Sequence, residues 1–139
     1  MKVFIGGSKT IGKLSDNAVE TITEICGDRH EILVGDCYGI DLAVQRFLAE
    51  LRYENVTVFT ACPRARNNIG GWSERRIATK QAGFPAHRAK DKVMIEECDF
   101  AVMIWDGKTK GTGLNIDELN RIEKRVVLFG IREMRMGTK

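Results

Sequence analysis

Three stretches of the chain set glycines beside hydroxyl, acidic and basic side chains in patterns that suit a bound anion. The first is Gly6-Gly7-Ser8-Lys9-Thr10, where glycine lets backbone amides approach a negative group and Ser8, Lys9 and Thr10 offer donors. The same pair of glycines also fits a plain turn. The second is Gly35-Asp36-Cys37-Tyr38-Gly39-Ile40-Asp41, which leads directly into an amphipathic stretch. A helix beginning there would present unpaired N–H groups and a partial positive charge to a phosphate. Asp41 reads either as a cap of that helix or as a ligand contact, and Tyr38 either stacks on a base or covers the sheet edge. The third is Asp106-Gly107-Lys108-Thr109-Lys110-Gly111-Thr112-Gly113, the richest of the three in glycine, lysine and threonine. None of them is a Walker loop or a G-x-G-x-x-G fingerprint.

Chemistry of this kind needs a frame to hold the three stretches together, and the apolar pattern supplies one. Lys2 to Ile5, Glu31 to Val34, Val56 to Ala61, Phe100 to Trp105 and Arg125 to Phe129 read as strands, the fourth of them apolar enough to be buried on both faces. Between the first two, Ser15 can cap a helix with Val19, Ile22 and Cys26 at helical spacing and Gly27 at its end. From Ile40, the positions Ala43, Val44, Phe47, Leu48 and Leu51 repeat as the stripe of a helix lying on a sheet. Arg64 to Trp72 reads as a long surface loop, Ser73 to Gln81 and His87 to Cys98 as two helical pieces, and Leu114 to Lys124 as the last helix. Strands alternating with helices predict an α/β fold: a single Rossmann-like three-layer domain over residues 1–130, with a parallel sheet of five strands in the order 3-2-1-4-5 and a tail over 131–139. In that order all three stretches fall at the carboxyl edge of neighbouring strands, where such sheets bind ligands.

Composition narrows the function classes. Leu, Ile, Val and Phe make up 37 of the 139 residues, above the range of disordered chains. No apolar run reaches the length of a membrane helix and no secretory signal is visible, so the expectation is a cytoplasmic protein with no membrane partner. Cys26, Cys37, Cys62 and Cys98 lack metal-ligand spacing, and with only His30 and His87 beside them neither a metal site nor a disulfide scaffold is expected. No cofactor is implied. The net charge is +3, but Pro63 to Lys92 alone carries +6, which leaves −3 on the remainder. A local basic excess suits an anionic ligand, or a solvated helix face.

Gly35-x-x-x-Gly39-x-Asp41, entering the helix that contains Ala43, resembles the G-x-A-x-G-x-D signature of the SLOG superfamily, which includes DNA-processing protein A, the YspA-like proteins and the Lonely Guy phosphoribohydrolases. Ala82-Gly83-Phe84-Pro85-Ala86-His87-Arg88 running to Met94, with Cys98-Asp99 before the next strand, is similar to the YspA-like Ala-Gly turn and Arg-bearing helix start. Gly111-Thr112 is similar to the Gly-Thr that closes the superfamily's phosphate loop. The same half resembles nucleoside 2-deoxyribosyltransferases and deoxynucleotide N-glycosidases. That likeness puts Asp91 at their conserved aspartate and Asn115 where they carry a catalytic glutamate, an amide that cannot act as a carboxylate nucleophile. Glu118, nearly one turn on, is the substitute.

The resemblance implies a domain that holds a nucleotide or nucleotide-derived ligand as a sensor. Phosphate would lie on Gly6, Gly7, Ser8, Gly111, Thr112 and Gly113, the base would lie near Tyr38 or Trp72, and Arg88 or Lys110 would balance the charge. Gly35, Gly39, Asp41 and Asn115 complete the expected ligand contacts. A second expectation is an N-glycosidase or 2-deoxyribosyltransferase acting on nucleoside monophosphates through Asp91 and Glu118. A third is single-stranded nucleic-acid binding, with Trp72 as a stacking platform between Arg66 and Arg75. Homo-oligomers are common in the resembled family.

Overall fold

A computed structural model describes residues 1–130; the tail expected over 131–139 lies outside the described residues. Strand β1 (Lys2–Gly7) forms the middle of the sheet, with Val3, Phe4 and Ile5 almost wholly buried. Its neighbours are β2 (Glu31–Gly35) on one side and β5 (Phe100–Trp105) on the other, both parallel to it. Beyond β2 lie β3 (Val56–Thr60) and then β4 (Ser73–Arg76); beyond β5 lies β6 (Arg125–Gly130). The sheet is parallel throughout, in the order β4-β3-β2-β1-β5-β6.

Helices α1 (Asp16–Gly27) and α2 (Ile40–Glu50) cover one face, packing Ile22, Val44 and Leu48 against Val3, Ile5, Val34 and Val102. Helices α3 (Phe84–Glu97) and α4 (Lys110–Arg121) cover the other, packing Met94, Ile95 and Leu119 against Phe4, Leu33, Phe59 and Met103. The alternating side chains of each central strand are thereby shared between two apolar layers, the reason their sequences read as continuous apolar runs. No helix among the described residues is long and apolar enough to cross a membrane.

The expected three-layer α/β architecture is present, with three differences of detail. The sheet has six strands, because Ser73–Arg76, expected to be helical, is an edge strand. Its four side chains are all exposed, so it has no periodicity to read; backbone pairing with Thr57–Thr60 holds it, and Arg75 lies 5.3 Å above the Phe59 ring while pairing with Glu97. α3 starts at Phe84, three residues before the expected start, since Gly83 turns the chain with φ 65° and Pro85 suits a first turn. α4 starts at Lys110, four residues before the expected start, so the Gly111 and Gly113 of the third glycine-rich stretch form a helical turn.

Three helices begin at the carboxyl edge without a side-chain cap

Connections from β1 run towards β4 and those from β5 towards β6, so the switch in direction falls between the carboxyl ends of β1 and β5. One residue ties that point together. Ser8, fully buried, shares a hydrogen bond with the Thr109 hydroxyl at 2.6 Å, accepts from the Asp106 amide at 2.9 Å, and accepts through its carbonyl from the Ile40 amide at 3.1 Å. Gly39, with φ 78°, lies so close to Lys9 that a Cβ there would stand 2.4 Å from the Lys9 Cα. The starts of α2 and α4 are therefore both anchored to the residues that follow β1.

The start of α3 joins them from the other side. A Cβ on Gly111 would stand 3.9 Å from the Phe84 ring, and the Lys110 ammonium lies 5.4 Å from that ring's centre. The Arg88 guanidinium donates to the Gly111 carbonyl at 3.2 Å and to the Asn115 side-chain oxygen.

Ser15 caps α1 by accepting from the Ala18 amide, whereas α2, α3 and α4 begin at Gly39, Gly83 and Thr109 with no side-chain cap. At α4 the carboxylate of Asp106 accepts from the amides of Lys108 and Thr109 just ahead of the helix. Among the described residues the amides of Lys110, Gly111 and Thr112 have no acceptor. Helix amides left open in this way, aligned with the helix dipole, favour an anion.

Beneath these helix starts lies a charged cluster. Lys90 of α3, 3% exposed, reaches over the end of β2 to lie 3.8 Å from Asp36 and 3.4 Å from Asp91. Asp36 is fully buried and accepts from Thr60 at 2.7 Å, from the Arg66 amide at 2.9 Å and from the Arg66 guanidinium at 2.8 Å. Burial alone would raise the Asp36 carboxyl, but Arg66, Thr60 and Lys90 together hold it at about 2. Asp41, also buried, accepts a single hydrogen bond among the described residues, from the Cys37 amide at 3.1 Å. Burial pushes it up to about 7, with the nearby Asp91 and Asp36 adding to the rise and Lys90 opposing it. Burial would also lower Lys90, yet the three carboxylates outweigh that and raise it. Asp91 continues the chain of contacts to Asn115, which donates to it at 3.0 Å, and to Arg88 at 3.6 Å. His87 belongs to the same neighbourhood: burial, Arg66 and Lys90 lower its pKa, and its Nδ1 is the one buried side-chain polar atom without a partner among the described residues.

Most of the expected site residues fall into three groups, with Gly113, Tyr38 and Glu118 apart from them. Ser8, Gly39, Arg88, Lys110, Gly111, Thr112 and Asn115 are gathered at the three helix starts, and Asp41 and Asp91 belong to the cluster below. Gly6, Gly7 and Gly35 instead end strands. A Cβ on Gly7 would stand 2.3 Å from the Ile104 carbonyl, and one on Gly35 2.4 Å from the Asp41 carboxylate, so these glycines permit close packing. Gly113 packs against Trp105, 3.1 Å from a Cβ placed there. Tyr38 is 59% exposed beside Gly39. Glu118 lies one turn beyond Asn115 on α4, and its pKa is lowered chiefly by its hydrogen bonds to Arg121.

Asp36, Lys90, Arg66, His87 and Gln45 carry much of the geometry, although none of them was an expected contact of the nucleotide. The usable signal was positional: Lys90 falls midway between inward-facing Ala86 and Met94, and Gln45 beside inward-facing Val44 and Leu48. A polar residue on a buried stripe must find partners. Gln45 donates to the carbonyls of Gly35 and Asn67 and accepts from the Ile69 amide, pinning the long loop after β3. That loop also fixes Trp72, whose indole donates to the Tyr53 carbonyl at 2.8 Å. Of the eight cations between Pro63 and Lys92, Arg66, Arg75, Arg88 and Lys90 are paired with carboxylates of the same chain, Arg75 at the surface.

Comparison with models of known protein families gives no match, and no curated protein matches the chain.

Proposed function

We propose that the carboxyl edge of the sheet binds a nucleotide or nucleotide-derived ligand, with its phosphate on the first turn of α4. The observation that carries this reading is the open set of amides at Lys110, Gly111 and Thr112, placed at the switch point of the sheet. Lys110 supplies charge at that turn, and Tyr38, exposed beside the start of α2, offers a face for a base. The Lys90 cluster sets the helix starts in position before a ligand arrives, since each of its carboxylates is already oriented by a neighbour. The SLOG resemblance of Gly35-x-x-x-Gly39-x-Asp41 and Gly111-Thr112 points to the same ligand class. Calorimetry across a panel of nucleoside mono- and diphosphates tests the reading: saturable binding supports it, and flat traces across the panel contradict it.

One observation favours a second reading, cleavage of an N-glycosidic bond. Asp91 is a half-buried carboxylate held by Asn115, Arg88 and Lys90, the kind of fixed group that can orient a sugar. Release of free base from a nucleoside monophosphate, lost in Asp91→Asn, is the discriminating assay. A chain that binds the nucleotide and leaves it intact is the ligand-holding domain of the first reading.

A further inference from the structure

A groove with a volume of about 560 Å³ opens between α3 and α4, and two of its lining residues, Phe84 and Arg88, also touch the first turn of α4. Phe84, 45% exposed, lines the groove and packs against the first turn of α4. Arg88 also lines it while donating to the Gly111 carbonyl. Farther along, Lys92 and Arg121 add positive charge, and the one carboxylate on the lining, Glu118, is already paired with Arg121. Arg121 is thus taken up by Glu118 and Arg88 by Asp91 and Asn115, which leaves Lys92 as the one lining cation without a carboxylate partner among the described residues, with an aromatic ring at the end nearest the open amides. A single phosphate on α4 leaves Lys92 unused, and Phe84, though Lys110 lies over its ring, stays 45% exposed.

We infer that the ligand is a dinucleotide, with one phosphate on the first turn of α4 and the second nucleotide in the α3–α4 groove, its base on Phe84 and its phosphate between Arg88 and Lys92. This rests on the proposed function and extends it to a substrate class. A cation-lined groove attracts the second phosphate, and an exposed ring provides stacking that tolerates any base. The lining holds no cation beyond Arg88, Lys92 and Arg121, and the last is already paired with Glu118, so a third nucleotide gains nothing.

The test compares a nucleoside 5′-monophosphate, a 5′-phosphorylated dinucleotide and the matching tetranucleotide by calorimetry at one salt concentration. The dinucleotide is expected to bind about tenfold or more tightly than the monophosphate, and the tetranucleotide no tighter than the dinucleotide. Lys92→Gln combined with Arg121→Gln, both exposed positions, is expected to bring the dinucleotide down to the affinity of the monophosphate while leaving monophosphate binding unchanged. Phe84→Ala is expected to lose part of the same increment. Equal affinity of the two ligands for the wild type, or an increment that survives the double variant, overturns the inference and leaves the phosphate site standing. Affinity that keeps climbing with oligonucleotide length overturns it in favour of a nucleic-acid track. Absence of binding by all three ligands overturns this inference and the proposed function together.

Discussion

Gly111→Asp separates the ligand from the fold. A Cβ at Gly111 meets only the Phe84 ring, at 3.9 Å in ordinary contact, so the substitution is sterically mild. Gly111 lies in the first turn of α4, where a negative side chain interacts favourably with the helix dipole; the new carboxylate therefore stabilises the folded chain by roughly 0.3–1 kcal/mol, in addition to removing a glycine from a helix. The same charge opposes a phosphate on the neighbouring amides. At a separation of about 5 Å and an effective dielectric constant of about 20, repulsion between two unit charges is about 3 kcal/mol, a loss of about a hundredfold in affinity. Calorimetry for binding and urea unfolding for stability read the two effects separately. The expected result is a variant at least as stable as the wild type with binding lost or nearly so, while Gly111→Ala keeps both. A Gly111→Asp variant that binds like the wild type refutes the placement of the phosphate, whatever its stability.

The buried cluster gives further expectations. Folding raises the Asp41 carboxyl from 3.8 to about 7, so the native chain retains a proton that the unfolded chain releases. Its contribution to stability is greatest below about pH 4 and declines as pH rises to about 7. Asp36 acts in the opposite sense and over a different range, its contribution present above about pH 4 and lost as pH falls through about 2. His87, with a lowered pKa, also slopes against Asp41, so the difference between the wild type and Asp41→Asn isolates the Asp41 effect. Asp41→Asn is expected to gain about 2 to 4 kcal/mol relative to the wild type between pH 4.5 and 7.5, read by urea unfolding at several pH values; a difference independent of pH contradicts the burial of a titrating Asp41. Gly35→Ala would place a methyl group 2.4 Å from the Asp41 carboxylate and 3.0 Å from the Lys90 ammonium, displacing both buried side chains. A loss of about 1–3 kcal/mol is expected, and an unfolding midpoint equal to that of the wild type contradicts tight packing there.

The frame of the molecule was legible because its information is local. Ile40 to Leu51 carries a complete apolar stripe, Phe100 to Trp105 is buried on both faces, and glycines mark the strand ends, so the alternation and the order of the five expected strands follow from periodicity and the right-handed crossover. The sixth strand was not legible, because Ser73–Arg76 has no buried face and is defined by backbone pairing with Thr57–Thr60. The start of α4 was hidden for a related reason: Lys110-Gly111-Thr112-Gly113 has poor helix propensity and is held by its surroundings. In the site, glycine-rich stretches announced the loops, and the resemblance drew attention to Arg88, Asp91 and Asn115. The Asp36–Lys90–Asp91 contacts join the residue after β2 to residues of α3 that are remote in sequence, and their charges gain meaning only when burial removes water from around them. Trp72 shows the converse. Its position between arginines suggested a stacking face, and its hydrogen bond to Tyr53 makes it a packed edge residue.

The central claim is that an anionic ligand sits on the open amides of α4. Titration of ¹⁵N-labelled protein with a nucleoside monophosphate, followed by amide resonances, addresses it directly. The account predicts saturable shifts largest at Lys110, Gly111 and Thr112, with smaller ones at Gly39 and Arg88; shifts confined to other parts of the chain, or none at saturating ligand, would contradict it.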